Sequence, residues 1–221
     1  MGITERKERE KAERRRAILV CAKELILKQG AAQVRMEEIA RKAELSKATV
    51  YLYFQSKEQL LKEICEESAR IFLECLRTHL KTGHTGVDTL RNFWRGCLEL
   101  FGNFDELITA FKVRKYLDYD EHVFLLKEQS PSQYADAAIK ALKDVIDQCK
   151  AEGVFDPNLD SAVATSMLLS IFSASVGKAA SIPPQERNPA ALIGEMTKEF
   201  RVIIHGFAKE GVDRACLDFT R

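Results

Sequence analysis

Residues 36–57 read MEEIARKAELSKATVYLYFQSK, and this stretch decides the fold. Its apolar residues predict two short helices, at about residues 36–43 and 47–54. The tripeptide Glu44–Ser46 separates them as a turn, and Ser46 is a suitable N-cap for the second helix. Two short helices joined by a tight turn form a helix-turn-helix, whose second helix can enter the major groove of DNA. The stretch therefore predicts a helix-turn-helix at about residues 36–54.

The side chains that point away from this helix pair are candidates for DNA contact. Lysine and threonine can hydrogen-bond bases or phosphates, alanine can pack on a thymine methyl group, and tyrosine hydroxyls can reach phosphates. Taken singly, such residues more often serve packing or surface charge, so it is their order and spacing that favour DNA binding. The candidates in the second helix and just after it are Lys47, Ala48, Thr49, Tyr51, Tyr53 and Lys57.

Charge is unevenly distributed along the 221 residues. Residues 1–57 contain 14 Lys or Arg and 8 Asp or Glu, whereas residues 58–221 contain 20 and 25. A basic amino-terminal part suits a polyanionic partner, although a solvated charged helix has the same composition. The segment Glu5–Arg16 is either an extension of the first helix or a basic arm that reaches the minor groove.

The rest of the chain also shows helical periodicity, with glycine and proline between the helical stretches. We expect an all-α fold of about nine helices. The predicted helices cover residues 5–29, 36–43, 47–54, 56–81, 87–101, 105–116, 130–152, 159–181 and 189–207, and residues 118–127 are a further candidate. Asp156-Pro157 predicts the start of the eighth helix, and Asn188-Pro189 the start of the ninth.

Several classes of protein are disfavoured by what the sequence lacks. The six cysteines form no C-x-x-C pair, so we expect reduced, buried thiols and no metal site. No phosphate-cradling glycine loop or nucleophile elbow is present, so neither an enzyme nor a cofactor is expected. With no signal core and no run of about 18 apolar residues, a cytoplasmic protein without a membrane partner is expected.

The segment 37–60, EEIARKAELSKATVYLYFQSKEQL, resembles the DNA-binding domain of the tetracycline-repressor (TetR) family. The combination of I-A-x-x-A, S-K-x-T-V-Y-x-Y-F and S-K-E-x-L is specific to that family. The resemblance covers about residues 12–72, the expected DNA-binding domain, and leaves residues 73–221 as a helical domain for ligand sensing and dimerisation. Val34 and Arg35 stand where the family often has hydroxyl side chains, so the usual cap of the first short helix is missing. Arg35 is expected to contact phosphate through its charge.

The resemblance implies a homodimer that binds a pseudo-palindromic operator in double-stranded DNA. It favours a repressor that a small hydrophobic or aromatic effector releases, with the helix at 56–81 linking the effector site to the helix-turn-helix. Control by a protein partner, or by oxidation of Cys65, Cys75 or Cys97, is the alternative. An enzyme with an incidental helix-turn-helix is a third, weaker reading.

Candidates for the two remaining sites lie in the carboxy-terminal helices. Aromatic residues concentrate at 87–126, where they fill a core or, as the resemblance implies, line an effector pocket. Small residues in the helix at 159–181, beside the apolar stripe of the last helix, predict a dimer surface, with the domain's own core as the alternative. The pocket candidates are Phe93, Trp94, Cys97, Phe101, Phe104, Phe111, His122 and Tyr134. The dimer candidates are Thr165, Leu169, Phe172, Ser173, Phe200, Ile203, Ile204 and Phe207.

Overall fold

The computed structural model describes residues 2–80, 83–102, 104–117 and 133–219, apart from the side chains of Ile3, Leu73 and residues 133–138. The helices are α1 Ile3–Gln29, α2 Met36–Lys42, α3 Lys47–Tyr53, α4 Lys57–Leu80, α5 Gly86–Gly102, α6 Phe104–Tyr116, α7 Gln133–Ala151, α8 Ser161–Ser181 and α9 Pro189–Phe207. In this part of the chain, extended pairing is limited to one bridge, between Phe155 and Ala208. The predicted all-α class is confirmed, and the candidate helix at 118–127 falls outside the described residues.

Helix α1 begins at Ile3, so the charged segment Glu5–Arg16 extends the helix. Arginine and glutamate four residues apart support the extension: Arg6 Nε lies 2.8 Å from Glu10 Oε1, and Arg9 Nε lies 3.7 Å from Glu13 Oε1. At 1.5 Å per residue, the 27 residues of α1 extend about 40 Å. The first half of α1 therefore projects beyond the helices that cover its second half.

The starts of α8 and α9 test two sequence predictions. Asn188 caps α9 by accepting a hydrogen bond from the Ala191 amide, as predicted. The predicted start at Asp156-Pro157 is wrong, because α8 begins at Ser161 and its N-cap is Asp160. The Asp156 amide instead donates to the carbonyl of Phe207 at 2.9 Å, beside the bridge at Phe155. This long-range pairing keeps the backbone extended where the local sequence favours a helix.

Two large hydrophobic clusters and a small one, formed by Ile108, Ala179 and Leu192, organise the described chain. The first lies mainly among α1–α4, and the second, which is larger and rich in aromatic residues, lies among α4–α9 and includes Leu107 of α6. The first contains Ile18, Ile26, Ile39, Val50, Phe54, Leu60, Ile64 and, from α6, Val113. The second contains Phe72, Phe93, Trp94, Phe101, Ile146, Leu168, Phe172 and Phe200. Because α4 contributes to both clusters and α6 inserts Val113 into the first, these two helices join them.

Helix α8 is apolar on nearly every side. By length and composition alone it could cross a membrane. In the structure it packs against α6, α7 and α9, and Leu168, Phe172 and Val176 are buried in the second cluster. Coverage on three sides accounts for the buried part of this composition, whereas Val163 and Met167 are exposed.

Candidate DNA interface and effector region

The helix-turn-helix is held at a fixed angle by its turn and by a buried face. Glu44 adopts a left-handed backbone conformation with φ of 56°, and the Leu45 amide donates to the Ala40 carbonyl at 2.9 Å, which ends α2. Ser46 Oγ then caps α3 by accepting from the Thr49 amide at 3.0 Å. Ile39 and Val50 are buried beneath the two helices, so α3 presents its opposite face to solvent.

The start of α2 is capped by a carboxylate in place of the missing hydroxyl group. Glu38 Oε2 accepts a hydrogen bond from the Arg35 amide at 3.0 Å. This bond satisfies one of the amides that a helix leaves unpaired at its first turn. Arg35 itself is exposed. Its guanidinium group is therefore available to a polyanion while its backbone anchors α2.

Four predicted contact residues lie together on the first two turns of α3. Lys47, Ala48 and Tyr51 are exposed, and Thr49 is half-buried, with its hydroxyl 2.8 Å from Ser46 Oγ. Lys47 Nζ lies 2.5 Å from Glu37 Oε1, and this hydrogen bond raises the pKa of the lysine and lowers that of the carboxyl group. The lysine is therefore a permanent cation, held near the start of α3.

Leu52 is a further candidate for contact on α3, and sequence reasoning missed it. Its side chain is 83% exposed, the largest exposure among the large apolar residues of the described chain. It lies between Tyr51 and Tyr53, and a leucine in an amphipathic helix is ordinarily expected to be buried. An exposed apolar side chain on a recognition helix is suited to a thymine methyl group.

Tyr53 and Lys57 make contacts within the protein. Tyr53 is half-buried at the end of α3. Lys57 Nζ donates to the Ala32 carbonyl at 3.1 Å and lies 4.5 Å from the centre of the Tyr116 ring in α6. In this structure the Lys57 ammonium group thus joins α4 to α6, a role that the motif alone did not suggest.

Arg15 fixes the end of the recognition helix from the side of α1. Its Nη1 donates to the Tyr53 carbonyl at 2.8 Å, and its Nε donates to Glu63 Oε1 at 2.7 Å. The guanidinium carbon also lies 4.4 Å from the centre of the Phe54 ring. One side chain thus holds α1, α3 and α4 together. Sequence reasoning missed it because Arg15 stands within a run of three arginines that resembles a solvated surface.

A second set of polar contacts joins α1, α4 and α6. Lys23 Nζ lies 2.8 Å from Glu67 Oε2 and 2.7 Å from Glu106 Oε1. Burial alone would lower the pKa of Lys23, but hydrogen bonds to the two carboxylates raise it above its ordinary value. Glu106 also accepts from Ser68 Oγ at 2.9 Å. Any shift of α6 must therefore move or break its contacts with α1 and α4.

Most of the predicted pocket residues fill the second hydrophobic cluster. Phe93, Trp94, Cys97 and Phe101 are each at most 3% exposed, and the Trp94 ring stacks on Phe200 at 4.2 Å between centres. These four side chains are part of the buried core of the second cluster. Phe104 and Phe111 are half-buried. His122 and the side chain of Tyr134 lie outside the described residues.

An opening adjoins Phe111, between α6 and α8. It has a volume of about 450 Å³ and combines one aromatic ring and small residues with two lysines. A Cβ atom at Gly177 would lie 3.0 Å from Phe111 Cζ, so the glycine lets the ring lie against α8. Lys112 Nζ donates to the Leu27 carbonyl of α1 at 2.7 Å. The lining residues are Phe111, Lys112, Lys115, Ser170, Ser173, Ala174, Gly177, Ala180 and Ser181.

Seven of the eight predicted dimer residues are buried within the subunit. Only Ile203 is half-buried, and the others are at most 5% exposed. Those seven side chains lie on the inward faces of α8 and α9 and pack within the subunit's own core. They are Thr165, Leu169, Phe172, Ser173, Phe200, Ile204 and Phe207. The large exposed apolar residues of the same two helices are Val163, Met167 and Val202, at 55%, 42% and 70% exposure.

All six cysteines are free thiols. Burial raises the pKa of both Cys65 and Cys75 to about 11, and it raises that of Cys97 further. Because the thiolate is the reactive form, these three cysteines are poor nucleophiles at neutral pH. The raised pKa values of these three thiols therefore argue against their oxidation as the signal.

Comparison with known proteins finds a family match in the amino-terminal part of the chain and a shared fold over most of its length. Residues 18–64 match the model of the bacterial regulatory proteins of the tetR family. No curated protein matches the chain significantly. The fatty acid degradation regulator FadR from Bacillus halodurans has a TM-score of 0.66 and 17% identity, with 87% of this chain and 95% of that chain covered. The ketosteroid regulator KstR2 of Mycobacterium tuberculosis has a TM-score of 0.65 and 19% identity, over 89% and 96% of the two chains.

A third solved structure, the TetR-family transcriptional regulator PfmR from Thermus thermophilus, has a TM-score of 0.65 and 20% identity, over 87% of this chain and 99% of that one. At such low identity these likenesses show a common fold. The family match supplies the more specific finding, since it spans α2, the turn and α3 with their supporting helices. Residues 18–64 thus match the tetR family of bacterial regulatory proteins, and the chain as a whole shares the fold of these solved structures.

Proposed function

We propose that the protein is a cytoplasmic repressor that binds a pseudo-palindromic operator as a homodimer and releases it when a small molecule binds. The observation that carries the proposal is the exposed face of α3, with Lys47, Ala48 and Tyr51 on its first two turns. Arg15 and the Ser46 cap hold this face rigidly. A rigid helix with exposed polar side chains at its start is suited to reading base edges in the major groove.

The proposed dimer surface is the outer face of α8 and α9. Val163, Met167 and Ile203 border an open groove of about 610 Å³ between the two helices. A patch of large, exposed apolar residues commonly marks an interaction surface. Two α8–α9 pairs packed through this face would form a four-helix bundle. The two copies of α3 would then have to lie about 34–36 Å apart, one turn of DNA, to fit successive half-sites.

The proposed effector site is the opening between α6 and α8. Phe111 and the small residues of α8 suit an apolar body, and Lys112 and Lys115 suit an anionic group. Burial, with help from the nearby Arg187, lowers the pKa of Lys112. A bound anion would favour the charged lysine and compete with the Leu27 carbonyl for its ammonium group. Effector binding would thereby weaken a contact between α6 and α1.

The contacts of α6 suggest how release would follow. Lys112 of α6 donates a hydrogen bond to Leu27 of α1, and Val113 packs in the first cluster. Glu106 of α6 pairs with Lys23, and the Tyr116 ring lies against the Lys57 ammonium group. An effector that prefers another position of α6 would alter the position of α1 and α4, and with them α3. It can shift this equilibrium only by its difference in affinity for the two states.

Selection of bound sequences from random duplex DNA tests the central proposal. We expect the wild type to enrich a palindromic consensus and the double variant Lys47→Ala, Tyr51→Ala to lose it. Lys143→Ala is the matched control, because Lys143 is an exposed lysine of α7 that also pairs with a carboxylate. Replacing Lys47 alone should lower the salt slope by about one, since one cation is removed. Failure of the wild type to enrich any sequence at modest salt would overturn the proposal.

The dimer and the effector need separate tests. Val163→Glu and Met167→Glu, on the outer face of α8, should convert a dimer into a monomer in sedimentation equilibrium, whereas Lys143→Glu should not. Gly177→Val should close the opening against Phe111, abolish release of the operator by an effector and leave operator binding intact. Control by a protein partner gains support if Gly177→Val has no effect on regulation in cells.

A further inference from the structure

Three side chains bring sulfur, nitrogen and oxygen donors together where α4 crosses α5. Cys75 and His79 stand four residues apart, on one face of α4, and Glu99 reaches them from α5. One donor atom from each side chain lies within 4.8 Å of the other two. Cys75 Sγ lies 3.8 Å from His79 Nδ1, and His79 Nε2 lies 3.2 Å from Glu99 Oε2. This cluster has no part in the proposed DNA, dimer or effector sites.

The imidazole ring of His79 is oriented as in many metal sites. Its Nδ1 lies 2.9 Å from the Cys75 carbonyl, which can only accept, so Nδ1 carries the proton and donates it. In the neutral ring, the Nε2 lone pair then faces the Glu99 carboxylate, an arrangement that needs a proton or a cation between the two groups. Metal-bound histidines commonly donate their other N–H to a backbone carbonyl in this way.

The backbone of α5 holds the ring in this position. A Cβ atom at Gly96 would lie 3.1 Å from both Cγ and Nδ1 of His79, so the ring packs directly against the glycine. The Gly96 carbonyl also lies 3.6 Å from Cys75 Sγ. Cys75 and His79 are half-buried, whereas Glu99 is mostly exposed. The cluster is thus ordered on its inner side and open to solvent on its outer side.

Thiolate, imidazole and carboxylate form a donor set that zinc accepts and that calcium and magnesium do not favour. Bonds of about 2.0–2.3 Å in a tetrahedral site place neighbouring donors roughly 3.3–3.7 Å apart. The distance of 3.2 Å between His79 Nε2 and Glu99 Oε2 is close to this range, and one donor atom from each of the three side chains lies within 4.8 Å of the others. On metal binding, the Cys75 and Glu99 side chains would rotate to bring their donors onto the ion at His79 Nε2, with water as the fourth ligand.

We propose that Cys75, His79 and Glu99 form a binding site for Zn²⁺ or a similar borderline-soft divalent cation. The ion would tie α4 to α5. Since α4 begins at Lys57, directly after the helix-turn-helix, such a tie restrains the helix that links the two hydrophobic clusters.

Titration of the reduced, full-length protein with Co²⁺ tests this site, because a cobalt–thiolate bond gives an intense near-ultraviolet absorption. We expect one Co²⁺ per subunit, visible bands of tetrahedral cobalt, and loss of all bands when Zn²⁺ is added. Cys75→Ser should remove the near-ultraviolet band. Glu99→Gln, which changes an exposed residue and leaves the fold intact, should weaken cobalt binding by at least about tenfold.

Cys216→Ser is the matched control, because Cys216 is an exposed cysteine far along the chain from the cluster. It should leave both the bands and the affinity unchanged. Circular dichroism establishes that each variant is folded before titration. The proposal is overturned if the folded wild type gives no thiolate band up to millimolar Co²⁺. It is equally overturned if the band survives in Cys75→Ser and Glu99→Gln or disappears in Cys216→Ser.

Discussion

The first hydrophobic cluster and the second are built from different kinds of interaction. Around the first, charged side chains such as Arg15 and Lys23 bridge three helices each, and they position an exposed surface. In the second, aromatic rings such as Trp94, Phe101 and Phe172 pack edge-to-face or stacked and fill the interior. A surface that contacts DNA needs side chains and helices held in fixed orientations, which hydrogen bonds provide. A supporting domain needs a densely packed interior. Substitutions in and around each cluster test this difference.

The largest expected effect on stability is in the second hydrophobic cluster. Phe101→Ala removes a fully buried ring that contacts both Phe104 and Phe172 edge-on. We expect the free energy of unfolding to fall by about 3–5 kcal/mol, because a large cavity forms in a packed core. Urea denaturation measures this loss. Leu52→Ala, at an exposed site, should change stability by less than about 0.5 kcal/mol. Equal effects of the two changes would contradict the described packing.

The next largest effect is expected at Lys23, where the polar contacts are most buried. Lys23→Met leaves Glu67 and Glu106 partly buried without their shared cation. We expect a loss of about 3 kcal/mol of unfolding free energy. The double variant Lys23→Met, Glu106→Gln should recover part of it, since it removes one uncompensated charge. A single variant as stable as wild type in urea would show that these contacts do not bind α1 to α4 and α6.

A smaller loss of stability, but a clear loss of function, is expected at Arg15. Arg15→Gln removes the bonds to the Tyr53 carbonyl and to Glu63, and the pair is partly exposed. We expect about 1–2 kcal/mol of destabilisation and roughly tenfold weaker operator binding, because the end of α3 is released. Arg9→Gln is the control, since Arg9 pairs only on the exposed surface of α1. Fluorescence anisotropy should show that the control binds the operator as tightly as the wild type. Equal weakening of operator binding in both variants would indicate that the total positive charge matters, and not the contacts of Arg15 with Tyr53 and Glu63.

The smallest effect concerns pH and Cys65, beside the first cluster. Burial raises the pKa of its thiol to about 11, above the ordinary value of 9.0. Well below pH 9 the thiol is protonated in both folded and unfolded chains, so its contribution to stability is constant there. As pH rises from 9 to 11 only the unfolded chain ionises, and stability is lost, by about 1 kcal/mol at pH 10. Urea midpoints of wild type and Cys65→Ser should therefore converge or cross in this interval, and a constant difference would contradict the assignment.

The helix-turn-helix could be placed from sequence because its signals are local. Ser46, the apolar spacing from Ile39 to Phe54 and the turn at Glu44 act within a few residues of one another. Asn188-Pro189 predicted the start of α9 for the same reason. Such signals act on backbone groups within the adjacent helical turn, and these groups belong to residues that are close in sequence. The same reasoning failed at Asp156, where a partner about 50 residues away, Phe207, determined the backbone conformation.

Only the tertiary structure decided what covers each helix face and which polar groups meet. Periodicity indicated the stripes of α8 and α9, but not that Phe172 and Phe200 face the subunit's core while Met167 faces solvent. Nor did it show that Lys57 turns towards Tyr116, or that Glu99 comes to lie beside His79. Helical periodicity shows which residues share one face of a helix. The neighbour found in that direction depends on contacts between residues far apart in the chain, and these form only when the whole fold is assembled.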